Sequence, residues 1–354
     1  MIHNFNAGPS VLPQNVLQEA SKAIINFNNS GLSILEIGHR TPLFESVMNE
    51  AISLVKELMN LDDDHEVLFM HGGATVQFME VPMNLLNEND TAAYADTGVW
   101  STKAIKEARL FGKVDVVCSS KESNYNFIPK GFSIPEDAAY FHVTTNNTIY
   151  GTQWQEIPKV KMPVIADMSS DILSRKIDFN SFGLIFAGAQ KNMGAAGTNL
   201  VVINKNILGK VKRSIPAIMD YRNHIEAHSM LNTPPVFAIY VSMLTLRWLK
   251  ENGGVEAMEK LNNQKSALLY DAIDNSKIFK GTVVREDRSK MNICFVMEDA
   301  EKEKSFLDFA KQNNIYGIKG HRSVGGFRAS LYNALPLSSV KYLVEKMEEF
   351  EKAL

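Results

Sequence analysis

Leu184-Ile-Phe-Ala-Gly-Ala-Gln-Lys-Asn-Met-Gly-Ala-Ala-Gly-Thr198 sets one lysine, Lys191, inside a run of apolar and small residues. The apolar runs that flank it, Leu184–Ala187 and Leu200–Ile203, are too brief for helices and read as buried strands. Working outward, runs of the same kind recur at Glu66–Met70, Ala92–Ala95, Val114–Cys118, Ala139–Thr144 and Pro163–Asp167. Between many of them lie segments long enough for a crossover helix, such as Thr75–Leu86 and Thr102–Leu110. Strands alternating with helices build a mainly parallel sheet, so this part of the chain is expected to be an α/β domain of the seven-stranded type, flanked by helices.

Upstream, Phe44, Val47, Met48, Ala51, Ile52, Val55, Leu58 and Met59 recur at amphipathic helical spacing over Phe44–Met59. Downstream of Ile203 the pattern changes to two long helices, Phe237–Glu251 and Val255–Asn275, separated by Asn252-Gly253-Gly254. That glycine pair marks the expected boundary between a large domain, 15–252, and a small one, 253–354, which also takes the segment 1–14. The small domain reads as strand Met291–Met297, helix Lys302–Asn313, strand Phe327–Leu331 and helix Ser339–Leu354, an α+β layer.

Composition bounds the function. A length of 354 residues suits two domains, and 45% hydrophobic with 22% charged residues is ordinary for a folded chain. A net charge of -3 provides no basic field for nucleic acid, so any anion site must be local. No apolar run approaches a membrane span, and the start Met1-Ile-His-Asn-Phe-Asn-Ala-Gly-Pro-Ser10 has no signal-peptide character, so a cytoplasmic location is expected. Two distant cysteines, Cys118 and Cys294, build neither a disulfide framework nor a cysteine zinc site.

Several residues carry chemistry. Lys191 has no acidic neighbour in sequence, and a desolvated ammonium of that kind titrates low enough to attack an aldehyde near neutral pH. Asp167 ends the strand Pro163–Asp167 at the carboxyl rim where open sheets bind ligands. It serves there either as a turn or cap residue or as a carboxylate that keeps a pyridine nitrogen protonated. His71-Gly72-Gly73-Ala74-Thr75 opens a helix after a strand, an ordinary turn or a phosphate cradle of backbone N–H groups with the Thr75 hydroxyl. Trp100 offers a π face to a flat ring, or simply packs.

Two His-Arg doublets, His39-Arg40 and His321-Arg322, and the lone Arg328 are surface charges or the grips of an anionic substrate. Other constellations are weak. His224, Glu226 and His228 lack a third ligand cluster and run into Pro234-Pro235, so no metal is expected. Ser169, Ser170 and Asp171 lack a histidine at a recognised spacing. Asn232 and Thr233 read as loop hydrogen-bonders.

Taken in order, Asn6-Ala-Gly-Pro, Gly38-His-Arg, His71-Gly-Gly, Asn147-Thr-Ile-Tyr-Gly-Thr, Asp167-Met-Ser-Ser, Gly188-Ala-Gln-Lys-Asn, Ser229-Met-Leu-Asn-Thr-Pro-Pro and Gly320-His-Arg-Ser-Val-Gly-Gly-Phe-Arg resemble the phosphoserine aminotransferases nearly end to end. That family lies in class V of the fold-type I pyridoxal-phosphate enzymes. The resemblance implies that Lys191 carries the cofactor covalently, Asp167 pairs with its ring nitrogen and Trp100 stacks on the ring. It implies that Thr148 bonds the phenolic-oxygen region and that Ala74, Thr75 and Gln190 hold the phosphate. Asn232 and Thr233 would reach that phosphate from a partner subunit, which makes a homodimer with shared sites.

Arg328 would take the α-carboxylate, with His39, Arg40, His321 and Arg322 around the substrate's phosphate or distal carboxylate. Some members have Arg where this chain has Thr75, which leaves phosphate recognition to the doublets. The implied reaction moves an amino group from glutamate to 3-phosphohydroxypyruvate, with the freed Lys191 shuttling the proton. A phosphohydroxythreonine step of pyridoxine biosynthesis is a further option. The alternatives are an alanine or serine–glyoxylate aminotransferase on the same fold, and a cofactor-free module that binds a phosphorylated ligand at Gly72-Gly73. A cysteine desulfurase is disfavoured, because neither cysteine sits in a flexible loop pattern.

Overall fold

A computed structural model describes residues 1–354. In chain order its elements are β1 (His3–Asn4), α1 (Gln14–Ile25), α2 (Pro42–Met59), β2 (His65–Met70), α3 (Gly73–Leu85), β3 (Thr91–Asp96), α4 (Val99–Ala108), β4 (Lys113–Ser119), β5 (Phe141–Thr144), β6 (Val164–Asp167), β7 (Leu184–Gly188), α5 (Ala189–Asn192) and β8 (Asn199–Asn204). Then follow α6 (Tyr221–Glu226), α7 (Val236–Glu251), α8 (Gly254–Asn275), β9 (Phe279–Gly281), β10 (Asn292–Met297), α9 (Glu303–Gln312), β11 (Ile315–Tyr316), β12 (Phe327–Ser330) and α10 (Leu337–Lys352).

Seven strands form the central sheet in the order β2-β8-β7-β6-β5-β3-β4. Only β8 runs against the rest, pairing antiparallel with both β2 and β7. The expected mainly parallel α/β architecture is therefore present. On one face, α2 buries Phe44, Val47, Met48, Ala51, Leu54, Val55 and Met59 against the sheet and α7. Thr41 makes no side-chain cap bond to α2, a loss of about 0.5–2 kcal/mol. Each fully buried Phe, Leu, Val or Met returns about 1.5–3 kcal/mol, so packing and not capping holds this helix. The other face carries α3 and α4, whose Phe78, Val81, Ala104 and Ile105 pack over Tyr94, Ile165 and Phe186.

Beyond the sheet, a three-stranded antiparallel sheet (β12-β10-β9), the parallel pair of β1 and β11, and helices α9 and α10 surround a second core. Phe5 belongs to that core, brought there by the β1 pairing of His3 with Ile315. The two cores meet along α8: Val255 and Met258 serve the first, Leu269 and Ile273 the second. The glycine pair thus starts the helix that bridges the units, with Gly253 at φ 89° and Gly254 at φ 67°.

Three expectations need correction. Val114–Cys118 is not a fully buried strand: β4 is the edge of the sheet, and Lys113, Asp115 and Ser119 are exposed along it. The helix expected over Thr102–Leu110 begins at Val99, because Gly98 and Ser101 cap it, and this puts Trp100 in its first turn. His224 and His228 do not share a helical face. Helix α6 ends at Glu226, His228 has left-handed backbone (φ 47°), and His224 Nε2 bonds the Ile218 carbonyl 2.8 Å away.

Candidate active site

Strand register brings distant residues to one rim. Thr144 lies beside Asp167, Asp167 beside Phe186, and Gly188 beside Asn199, which pairs in turn with Met70. The segments that leave this rim are the start of α3 after β2, the start of α4 after β3, the loop 145–152 after β5, Asp167–Asp171 after β6, and α5 after β7.

Lys191 stands on α5, a single turn entered directly from β7. Its Nζ donates to Thr148 Oγ1 at 2.7 Å and lies 5.5 Å from the centroid of the Trp100 ring. Ser10 Oγ donates to the Lys191 carbonyl, and Ser10 N donates to the Gln190 carbonyl at 3.0 Å. The N-terminal segment thereby crosses the lysine so closely that a Cβ on Gly8, at φ 140°, would sit 3.2 Å from Lys191 Cγ. Burial pulls the Lys191 ammonium down from 10.5 to about 8; Asp167 opposes that shift, Arg328 adds to it and Asp171 opposes it. The amine is thus not remote from carboxylates, as its sequence neighbours suggest, and burial outweighs the two aspartates.

Asp167 is buried, with Oδ1 accepting from Ser169 N at 3.0 Å. Its other oxygen takes no hydrogen bond from the chain. Burial raises this carboxyl, while Lys191 and Ser169 hold it down. Asp171 behind it is fixed by Thr145 Oγ1 at 2.5 Å and Gln153 Nε2 at 3.1 Å. Thr148 joins both halves of the site, since its hydroxyl meets Lys191 and its carbonyl accepts from Arg328 Nη1 at 3.1 Å. Arg328 Nε is buried without a partner, so this guanidinium has donor capacity to spare.

The cations cluster on one side. Burial lowers His321, and so do the charges of Arg328, Arg322 and Lys103 around it. His321 Nδ1 is 2.7 Å from Ser323 Oγ. The arginine ion pairs of the chain engage Arg175, Arg222, Arg247, Arg285 and Arg288, and leave Arg322 and Arg328 without a carboxylate, as they do Arg40, Arg109 and Arg213 elsewhere. Lys103 was not foreseen: its Nζ lies 4.6 Å from the Trp100 ring centroid, one helical turn on from that residue.

The other expected residues make no side-chain hydrogen bond to Lys191, Asp167 or Arg328. Ala74 and Thr75 are in the first turn of α3, behind Gly72 in left-handed backbone at φ 84°, with Thr75 exposed. Gln190 is half-buried next to Lys191. His39 and Arg40 lie on a loop and bond each other (Arg40 Nε to His39 Nε2, 3.4 Å), and reach no other site residue by hydrogen bond. Asn232 is half-buried and Thr233 exposed in the loop before α7, and neither side chain makes a hydrogen bond within the chain. Ser10 and Asp171 belong to the site but carry no sequence signal of their own beyond the motifs Asn6-Ala-Gly-Pro-Ser10 and Asp167-Met-Ser-Ser-Asp171.

An amine of lowered pKa, a buried carboxylate with one free oxygen, an indole face, a helix N-terminus and unpaired arginines are therefore gathered at one rim. The profile of the aminotransferase class-V family matches residues 2–343. The chain belongs to the class V aminotransferase family. The phosphoserine aminotransferase of Flavobacterium johnsoniae is 57% identical over 350 residues, covering 99% of this chain and 98% of the relative. A solved phosphoserine aminotransferase from Bacillus circulans subsp. alkalophilus superposes with a TM-score of 0.97 at 43% identity, over 100% of this chain and 99% of that one. The pyridoxal-phosphate-bound phosphoserine aminotransferase of Trichomonas vaginalis gives 0.94 at 38% identity, over 98% and 100%. The rim of this class V chain fits the same cofactor. Asp167 retains an oxygen for a ring nitrogen, Lys191 is an amine for an aldehyde, and the first turn of α3 leaves backbone N–H groups for a phosphate.

Proposed function

We propose that this chain transfers an amino group between L-glutamate and 3-phosphohydroxypyruvate, forming 2-oxoglutarate and O-phospho-L-serine, with pyridoxal phosphate as its cofactor. The observation that carries this reading is Lys191, an amine lowered to about 8, bonded to Thr148, 5.5 Å from the Trp100 ring centroid and within the field of buried Asp167. When bound, the cofactor supplies an electron sink for the carbanion that forms at the substrate's α-carbon.

The chain's own residues supply the rest. Lys191 is the covalent anchor and, once released, the base that takes the α-proton and the acid that returns it; a pKa near the working pH suits both tasks. Asp167 holds a ring nitrogen protonated, Trp100 covers the ring, and Thr148 bonds the phenolic-oxygen region. Ala74, Thr75 and Gln190 hold the cofactor phosphate. Arg328 takes the α-carboxylate, since its Nη1 bond to Thr148 fixes the fork beside Lys191. Arg322 and His321, with His39 and Arg40, receive the distal phosphate or carboxylate.

We also read the chain as a cytoplasmic homodimer with shared sites, in which Asn232 and Thr233 of each protomer reach the phosphate held by its partner. Their lack of hydrogen bonds within the chain supports this assignment, and two free cysteines suit a reducing compartment. No helix is long and apolar enough to cross a membrane. We keep the division into 15–252 and 253–354 with 1–14; the separate core around Phe5, Phe279 and Phe306 supports it, while Val255 and Met258 of α8 pack with the large unit. Transamination of the phosphohydroxythreonine precursor would use the same grips. An alanine or serine–glyoxylate activity is disfavoured, because Arg322 stands beside His321 without a carboxylate partner, beyond the α-carboxylate grip, where a substrate with a second anionic group would bind.

The test is a panel of keto acids with glutamate as donor. 3-Phosphohydroxypyruvate should be preferred by kcat/KM over pyruvate, glyoxylate and hydroxypyruvate, and Arg322→Leu should erase that preference, with a smaller loss for glutamate, whose distal carboxylate meets the same grips. Equal losses for phosphoserine and unphosphorylated serine in the variant would contradict the role given to Arg322.

A further inference from the structure

Alongside the apolar contacts of α8, the seam between the two units carries a run of buried amides. Asn146, Asn192, Asn262, Asn292 and Asn333 are each between 0% and 8% exposed. Asn146, beyond β5, donates to Asn292 Oδ1 on β10 at 2.8 Å. Asn292 Nδ2 in turn reaches Ser330 Oγ at 3.0 Å and Tyr332 Oη at 3.2 Å, and Tyr332 donates to the Ala7 carbonyl at 2.8 Å. A second run starts beside Lys191: Asn192 Oδ1 accepts from Asn333 N at 2.8 Å, and Asn192 Nδ2 donates to the Ile172 carbonyl at 2.5 Å. Asn333 Nδ2 donates to the Leu173 carbonyl at 2.9 Å, and Asn262 Nδ2 on α8 meets Asn333 Oδ1 at 2.9 Å and the Ser174 carbonyl at 3.0 Å.

Both runs end at the working groups. Asn146 is two residues before Thr148, which bonds Lys191 and Arg328; Asn192 adjoins Lys191; Asn292 pairs with Ser330 on the strand that carries Arg328. Apolar surfaces can slide, because their attraction has no direction. A buried amide whose partner moves away is left unsatisfied, so a small rotation of one unit would break several bonds at once.

We propose that this asparagine belt sets the orientation of the small unit and that Asn292 and Asn333 are positioning residues: they fix the Arg328 guanidinium relative to the Lys191 amine. The inference rests on the transaminase reading above. An α-carboxylate gripped by Arg328 is held alike in ground and transition states, so misplacing the grip raises KM more than it lowers kcat.

The experiment compares the cofactor-loaded parent with Asn292→Ala and Asn333→Ala. Expected are KM values for glutamate and phosphoserine that rise together, by about tenfold or more, with kcat within about threefold and cofactor affinity within about twofold of the parent. The dissociation constant of maleate, a dicarboxylate without an amine, should rise by the same factor. Asn333→Asp keeps the volume and the acceptor for Asn262 but loses the donor to Leu173, and it carries the test if the alanine variants do not fold. A lower melting temperature with unchanged KM and maleate affinity would overturn the proposal, as would a parallel loss of cofactor affinity. A parent without transaminase activity would overturn the functional reading instead, and the maleate series would still report whether the belt positions Arg328.

Discussion

The amine of Lys191 owes its character to groups that are remote in sequence. Burial brings it to about 8; Asp167 and Asp171 favour the ammonium and Arg328 disfavours it. Only the free amine attacks a carbonyl, so the signs of substitution follow. In the cofactor-free protein, the rate at which an aldehyde reagent modifies Lys191 should reach half its maximum near pH 8. Asp167→Asn removes a stabilising carboxylate and should lower that midpoint, whereas Arg328→Leu removes a neighbouring cation and should raise it. Peptide-resolved labelling across pH reads all three midpoints, and shifts of opposite sign would contradict the assigned contacts. At this scale the sequence was informative, because Asp167 closes an apolar strand and Lys191 follows another within a single turn. Arg328 was harder, since its link to Thr148 spans 180 residues and exists only once β10 and β12 have paired.

Elements were legible where a periodic face was long. The stripe over Phe44–Met59 matches α2 to within two residues, and the short apolar runs became strands of the central sheet. The two-residue strands β1 and β11 have no pattern to read, and pairing alone defines them. The asparagines of the seam carry no sequence pattern, and only their partners reveal them as buried connectors. Lys265 is a similar case. It lies fully buried on α8, with Nζ donating to the carbonyls of Leu331, Tyr332 and Leu335 at 2.9, 2.8 and 3.3 Å. Three donors meet three acceptors in the segment that joins β12 to α10. Lys265→Met preserves bulk but strands these carbonyls, and should cost on the order of 2–4 kcal/mol of stability in a urea melt. A loss below roughly 0.5 kcal/mol would mean that the segment finds other donors.

For the whole molecule, the fold class could be read from the alternation of strands and helices, whereas the homodimer was implied by the resemblance and not by any pattern in the residues. The shared-site reading makes a mixing prediction. A variant carrying Asn232→Ala with Thr233→Ala should bind cofactor weakly, and Lys191→Ala should be inactive. In a mixed dimer, the subunit with Lys191 intact receives a wild-type loop from its partner, so one good site forms. At limiting cofactor, activity should rise on subunit exchange toward about half that of the parent per dimer. Confirmed exchange without any recovery would place the loop in its own chain's site.

Covalent attachment of the cofactor at Lys191 is open to a single measurement. The pyridoxal-phosphate-loaded protein is reduced with borohydride, digested, and its peptides are sequenced by mass spectrometry. The account predicts one stoichiometric cofactor adduct, on the peptide containing Ala189-Gln190-Lys191-Asn192, and its complete loss in Lys191→Ala. An adduct on a different lysine, or none in a protein that retains transaminase activity, would contradict it.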